Sequence, residues 1–350
     1  MGARRFLVTG ALPYSNGRLH VGHIAGAYLP ADIYVRYLRA RGDEVRFICG
    51  SDDNGVAVPI TAMKENSTPA EVSARYNARQ QQDFAGLGIV FDIYGGTHQP
   101  GFVELHERIS QAFFRTIYEK GYFVKKKTKQ LYDEKAGKFL PDRYVRGRCH
   151  YPDCGYEGAF GDQCEACGRS TDPLLLGDPV STITGTRPVV RETTHWYLKL
   201  QQFEEPLKRW LESREGWRPN VLNFALGQIR EGLVERAMTR DLDWGVPVPL
   251  DDPDAAGKVL YVWFDAPIGY VSFTAKLCEQ LGEGWQAYQR WWKEPDCKII
   301  HFIGEDNTIF HAIIWPAMLL AEGSYQLPHN VVANAFLNIR FPGKDEEKIS

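Results

Sequence analysis

The sequence has no run of about 18 consecutive apolar residues, which excludes a helical membrane span. Its N-terminus, Met1-Gly2-Ala3-Arg4-Arg5, leads straight into Phe6-Leu7-Val8-Thr9. That apolar stretch is too short for a signal-peptide core, so secretion is not expected. Charge of one sign is also missing. Forty-one Lys and Arg stand against 44 Asp and Glu, a net charge of −3, which excludes a globally basic nucleic-acid binder but not a local basic face. Cysteine is scarce, at seven in 350 residues, too few for a disulfide scaffold. Four of the seven are clustered and three (Cys49, Cys278, Cys297) are scattered, which reads as a reduced, cytoplasmic compartment and one metal site. There is no internal repeat and no low-complexity segment. What is present is ordinary globular material, 44% apolar with a generous 13% aromatics. The length implies two or three domains, or one large core with an insertion.

The first 120 residues alternate short apolar runs with helical periodicity. Residues 6–9 read as a buried strand. Ile24, Ala27, Tyr28, Ala31, Val35 and Leu38 then recur at helical spacing, with Pro30 marking a kink or an irregular start. Gly42 ends that helix, and residues 45–49 (VRFIC) form the next strand. Strand, helix and strand in this order make a βαβ unit with parallel pairing and a right-handed crossover. Helices are expected near 69–87 and 104–119. From about 121 to 200 the chain is rich in Gly, Pro, Thr and Cys and loses helical period. Leu222, Leu226, Ile229 and Leu233 then mark a helix face. After Gly257 the α/β rhythm returns: strands at 259–264 (VLYVWF), 298–303 and 331–333, and helices at 266–279 and 308–320. The fold class is therefore α/β, a doubly wound, Rossmann-like parallel sheet. Its two halves, 1–120 and 237–350, are split by an insertion at 121–236. The ligand crevice belongs at the carboxyl ends of the strands.

The chemistry-bearing residues fall at those ends. After the first strand comes Gly10-Ala11-Leu12-Pro13-Tyr14-Ser15-Asn16-Gly17-Arg18-Leu19-His20-Val21-Gly22-His23. A helix N-terminus there is an anion site, Gly22 lets a ligand approach the backbone, and His20 and His23 can donate to phosphate oxygens. The bland alternative is a pair of capping or partly buried imidazoles. Asp52 and Asp53 follow the second strand, where a carboxylate can hold an ammonium group or serve as a helix cap. Trp263-Phe264-Asp265-Ala266-Pro267-Ile268-Gly269-Tyr270 and the stretch from Phe302 to His311 both start at strand ends. Gly304, Glu305, Asp306 and Asn307 suit a ribose or adenine, though these residue types also favour turns. His311 and Trp315 share one helix face, as core pairs usually do. The cluster Cys149-x4-Cys154-x9-Cys164-x2-Cys167 matches tetrahedral, structural Zn²⁺, with His150 as a competing ligand. The run Lys125-Lys126-Lys127-Thr128-Lys129 is either a phosphate contact or a solvated strand face.

Taken together these residues closely resemble the methionyl-tRNA synthetases, a family of class I aminoacyl-tRNA synthetases. Ala11-Leu12-Pro13-Tyr14 with Asn16-Gly17, and His20-Val21-Gly22-His23, look like the family's opening and its HIGH element, with Val for the usual Ile or Leu. Thr239 to Pro249 resembles the stretch that rejoins the catalytic domain, and Tyr261 to Tyr270 is a further near match. Lys348-Ile349-Ser350 resembles the start of KMSKS. The resemblance implies two steps: methionine and ATP form methionyl-adenylate, and the methionyl group passes to tRNA(Met). His20, His23 and Lys348 would be catalytic, with Mg²⁺ accompanying ATP. Gly22, Gly304, Glu305, Asp306 and Asn307 would bind ATP. Asp52 would pair with the methionine ammonium, and Ala11, Leu12, Tyr14, Trp263, Ala266, Pro267, Tyr270 and His311 would surround the side chain, sulfur against aromatic edges. Homocysteine, one methylene short, would be a difficult competitor, since that difference is worth only about 1–3 kcal/mol, and the family implies its editing in the synthetic site. Asn54 stands where His or Tyr is frequent in the family, Glu305 where Lys is common, and the first cysteine knuckle is wider than usual. With KMSKS incomplete and the helical anticodon-binding domain absent, the expectation is a catalytic-domain fragment that binds tRNA weakly if at all, with no membrane partner. The rival readings are a Leu, Ile, Val or Cys synthetase and a non-catalytic zinc RNA-binding module.

Overall fold

The structure, a computed structural model, describes residues 4–161, 164, 166, 167, 169, 171–340 and 346–348. Five parallel strands form the central sheet: β1 (Arg5–Gly10), β2 (Glu44–Ser51), β3 (Ile93–Gly96), β4 (Cys297–Gly304) and β5 (Asn330–Asn334). Their order is β5-β4-β1-β2-β3. From β1 the chain winds outward to β2 and β3, and from β4 it winds the opposite way to β5. The connections that leave neighbouring β1 and β4, strands in register from Arg5 opposite Cys297 to Gly10 opposite Phe302, thus run in opposite directions at their carboxyl ends. That divergence is the topological switch point, where a parallel α/β sheet opens a crevice. The central strands are apolar on both faces, as a sheet covered by helices requires: Leu7, Val8, Phe47, Ile48, Ile299 and Ile303 are all buried.

The helix after β1 starts at Val21 and runs to Ala40, but residues Ile24–Tyr28 form a wide i→i+5 turn before Leu29–Ala40 resumes regular geometry. Pro30 lies in the first turn of the regular part. The Gly26 carbonyl, four residues earlier, accepts from Asn334 Nδ2 instead of a Pro30 N–H, and the wide turn absorbs the proline ring. Expected helices at 69–87 and 104–119 are present as Pro69–Gly86 and Val103–Glu119. The strand expected at 259–264 needs correction. Only Val259–Leu260 pairs as a strand, and the helix Val262–Gln280 has already begun at Trp263 and Phe264. β-Branched and aromatic residues signal burial in either state, and here a fully buried helix uses them. That helix packs so closely on the sheet that a Cβ on Gly50 of β2 would lie 2.5 Å from the Phe273 ring.

Between the two halves, the long strands Phe123–Asp133 and Val189–Leu198 pair antiparallel. A small sheet of Val145–Arg148, Ala159–Phe160 and Gly177–Ser181 carries the cysteines. The helices Glu204–Glu212 and Pro219–Glu231 bury Trp210, Val221 and Ile229 in the same core as the central sheet. No helix among the described residues is long and apolar enough to cross a membrane.

Candidate functional site

The loop after β1 and the loop after β2 are joined by main-chain hydrogen bonds. Asp52 N–H donates to the Pro13 carbonyl at 2.8 Å, and Ser15 N–H to the Asp52 carbonyl at 3.0 Å. This junction sets Asp52 beside Ala11, Leu12 and Tyr14. The cavity over the switch point, about 250 Å³, is lined by residues from six segments, the last being residues 334–337 at the end of β5. Ala11, Leu12, Pro13 and Tyr14 come from the β1 loop, His20, Gly22 and His23 from the helix start, Asp52 from the β2 loop, Trp263 from the buried helix, and Gly304, Asp306 and Asn307 from the end of β4. An inner recess adds Ala266, Pro267, Tyr270 and His311. Sequence-distant candidates therefore meet at one sheet edge. Glu305 is an exception. It is not among the lining residues, and its Oε1 accepts the Phe336 N–H at 3.1 Å, fixing the chain that leaves β5.

His20 and His23 stack at a centroid distance of 3.7 Å. His20 N–H donates to His23 Nδ1 at 3.2 Å, so the neutral His23 ring carries its hydrogen on Nε2 as a donor. Both rings sit at a helix N-terminus, whose dipole favours negative charge. Asp52 is buried, and its Oδ1 has no hydrogen-bond partner among the described residues. Burial, with Asp265 and Asp53 nearby, raises its pKa well above the usual carboxylate range. Such a group is suited to a cation that arrives later.

The inner recess is walled by aromatics. Trp263 stacks on Phe310 at 3.6 Å and meets Tyr14 edge-on at 6.5 Å. His311 Nδ1 stands 3.1 Å from the Asn307 carbonyl, so Nδ1 bears the hydrogen and Tyr270 O–H donates to His311 Nε2 at 3.0 Å. Burial lowers the His311 pKa to about 4, which keeps the ring neutral. The free volume here is about 20 Å³, room for about one water.

Sequence reasoning missed Tyr28, which donates to the Ala11 carbonyl at 2.9 Å, and the far wall, Asn334 to Leu337. Tyr28 had been visible only as a core residue of the helix. The far wall follows an unremarkable strand and carries no motif. Lys348 closes an antiparallel hairpin, in backbone register with Asn338; Ile349 and Ser350 lie outside the described residues.

The four clustered cysteines converge. Their sulfurs all lie within 4.8 Å of one another, and Cys154 Sγ is 3.7 Å from Cys164 Sγ. Sulfurs at about 2.3 Å from a tetrahedral Zn²⁺ stand about 3.8 Å apart, so the set fits. The backbone N–H and the guanidinium of Arg169 lower the Cys167 thiol to about 6, favouring thiolate. Of the lysine run, Lys125 pairs with Asp252 at 2.7 Å and Asp254 at 2.8 Å, and Lys126 pairs with Glu235. Those two cations are spent on the protein's own acids, as a solvated strand face would have them.

A parallel sheet with its cleft at the switch point, a histidine pair at a helix start and a cysteine-bearing insertion define a class I synthetase architecture. The family model described as tRNA synthetases class I (M) matches residues 6–350, and the chain belongs to that family. It is 52% identical over 337 residues to the methionine–tRNA ligase of Parabacteroides distasonis, covering 96% of this chain and 48% of that protein. It is 49% identical over 346 residues to the methionine–tRNA ligase of Thermococcus kodakarensis, covering 96% and 46%. The chain thus spans about half the length of these relatives. The fold is shared with methionyl-tRNA synthetase of Mycobacterium tuberculosis bound by methionyl-adenylate, at TM-score 0.69 and 24% identity, covering 95% of this chain and 58% of that one.

Proposed function

We propose that this chain activates L-methionine with ATP, as the catalytic part of a methionine–tRNA ligase. The observation that carries the reading is the meeting of a histidine pair, a buried carboxylate with one oxygen unpartnered among the described residues, and an aromatic recess in one cleft. Asp52 takes the ammonium group, which offsets its burial. Trp263, Tyr270 and His311, with Ala11, Leu12, Ala266 and Pro267, surround the thioether, and Tyr14 packs against Trp263. A recess with room for one water does not hold that side chain, so the Trp263–Phe310 stack parts as methionine enters. Gly22 and Gly304 let the nucleotide approach the backbone, and Asp306 and Asn307 hold its polar edge.

The bound carboxylate attacks the α-phosphate in line, the bond to pyrophosphate breaks, and negative charge grows on the phosphoryl oxygens. His23 Nε2–H and His20 meet that charge, with ATP entering as its Mg²⁺ complex. Lys348 belongs to the same phosphate-binding group. The methionyl group then passes to the terminal ribose of tRNA(Met). Cys149, Cys154, Cys164 and Cys167 would hold a Zn²⁺ that contributes to folding of the insertion. The reaction is assigned to the cytoplasm, in line with the reduced cysteines.

Methionine-dependent exchange of pyrophosphate into ATP tests the reading. Exchange with methionine and none with leucine is expected. Exchange with leucine instead assigns a different amino acid, and RNA binding without any exchange leaves a non-catalytic module.

A further inference from the structure

A fully buried polar cluster lies between the Asp52 loop and the aromatic recess, and the cleft chemistry above does not use it. Asp265 sits on the helix that carries Trp263, Ala266, Pro267 and Tyr270, with no solvent exposure. Its Oδ2 accepts from Asn54 Nδ2 at 2.6 Å and stands 3.3 Å from His106 Nε2. Asn54 follows Asp52 by two positions, so the Asn54–Asp265 bond is a side-chain tie between the loop of the carboxylate and the helix of the recess. The other end of the Asn54 amide, Oδ1, stands 3.1 Å from His98 Nδ1, and His98 N–H donates to Asp53 Oδ2 at 2.9 Å. The His98 ring stacks on Trp244 at 3.9 Å, and Trp244 Nε1–H donates to the Asp53 carbonyl at 2.7 Å. The loop is therefore held on one side by the returning chain of the insertion and on the other by Asp265.

His106 anchors Asp265 from the neighbouring helix. Ser272 Oγ donates to the Gly269 carbonyl at 3.1 Å, so it offers only lone pairs to His106 Nδ1 at 3.0 Å. Nδ1 therefore bears a hydrogen. His106 Nε2 also lies 3.5 Å from Ser110 Oγ, a second polar neighbour in the cluster. His106 thus sets a polar ring edge against the buried carboxylate at 3.3 Å, inside the same cluster as Asn54. Asp265 Oδ1, like Asp52 Oδ1, has no hydrogen-bond partner among the described residues. The Asn54 amide, held by Asp265 at one end and His98 at the other, fixes the loop that carries Asp52.

We infer that Asp265, anchored by His106, is a positioning residue for the ammonium group of the amino-acid substrate: through Asn54 it holds Asp52 in register with the side-chain recess. The inference rests on the reading that Asp52 takes that ammonium. It predicts that the cluster governs discrimination between methionine and the same molecule without its amino group, 3-(methylthio)propanoate.

Equilibrium binding of both ligands, followed by tryptophan fluorescence, tests it on the wild-type chain, Asn54→Ala and Asp265→Asn. Asn54→Ala cuts the tie and should weaken methionine by about tenfold, the scale of one charge-assisted hydrogen bond, with the analogue changed less than about twofold. Asp265→Asn keeps the shape and still accepts from Asn54, removing only charge. Its loss should be smaller, about threefold, and again confined to methionine. Equal weakening of both ligands, or no change in either, overturns the inference, because a merely structural role does not read the amino group. If Asn54→Ala does not fold, the same ratio in Asp265→Asn decides. A wild-type chain that binds methionine no better than the analogue refutes the Asp52 reading itself, a separate result, and the inference falls with it.

Discussion

The cleft and the cysteine module are built on opposite principles. The cleft stands on the largest core of the molecule, with Phe264, Ile268, Phe273, Trp292, Ile303 and Trp315 buried beneath it. Its loops are joined by main-chain hydrogen bonds and buried amides, so the loop framework exists before any ligand arrives, and only the aromatic recess has to open. The cysteine module shares in a core of ten buried residues, of which two are the proposed ligands Cys149 and Cys164 and three, Leu131, Leu242 and Val259, come from outside the module. Its strands are two to five residues long. A sheet that small does not hold itself. Burial organises one region, and in our reading metal coordination organises the other.

That contrast is easiest to break by removing the metal. Structural zinc sites contribute roughly 10–16 kcal/mol of binding free energy to folding. A chelator, or Cys164→Ser, should release about one zinc per chain and abolish hydrogen-exchange protection of residues 145–181. The strands β1 and β4 should stay protected. Loss of protection in both regions together would make them one cooperative unit.

Within the cleft, the exposed histidine acts on chemistry and not on the fold. His23→Ala should slow adenylate formation by about 10²–10³, while the urea midpoint stays within about 0.5 kcal/mol of wild type. A comparable loss of stability would make His23 structural.

Acid should damage the cleft through its buried imidazoles. Burial holds His311 at about 4 against 6.5 in the unfolded chain, so the unfolded state binds more protons between those values. Stability from this group is fully present above the unfolded value and is lost as pH falls toward the folded one, by about 3 kcal/mol. His301 shifts in the same direction, again by burial and by the nearby His311. His311→Gln should flatten the fall in stability measured by urea titration between those limits; an unchanged slope would place the acid sensitivity elsewhere.

The smallest effect is the most diagnostic. With its pKa raised, Asp52 is most favourable protonated, below the unfolded value, and becomes a cost as pH rises. Asp52→Asn mimics the protonated form. It should stabilise the ligand-free chain by about 1–2 kcal/mol at neutral pH while weakening methionine. A destabilised variant would show that the carboxylate is already satisfied without substrate.

Much of this was legible in the residues. The periodicity of the first 50 residues, the return of α/β rhythm after Gly257 and the cysteine spacing all read locally, because strand burial, helix faces and metal knuckles are short-range patterns. Trp263 and Phe264 misread as strand because burial, not backbone state, was what their chemistry announced. Glu305 was grouped with its neighbours by adjacency, yet its carboxylate serves the Phe336 backbone. His106 carries no local signal, and Asp265 stands inside the stretch from Trp263 to Tyr270 without a role of its own, since a lone histidine or a single acid among apolar residues looks like packing.

Local chemistry settled the type of each element, the histidine pair, and the thiol set, because those depend on neighbours within a few positions along the chain. Folding in three dimensions settled which of them face one another. Asn54 touches Asp265 across 211 positions, and Asn334 comes to line the same cleft as His20. Such meetings follow from how two oppositely wound halves diverge at β1 and β4, a property of sheet order that no single stretch of residues contains.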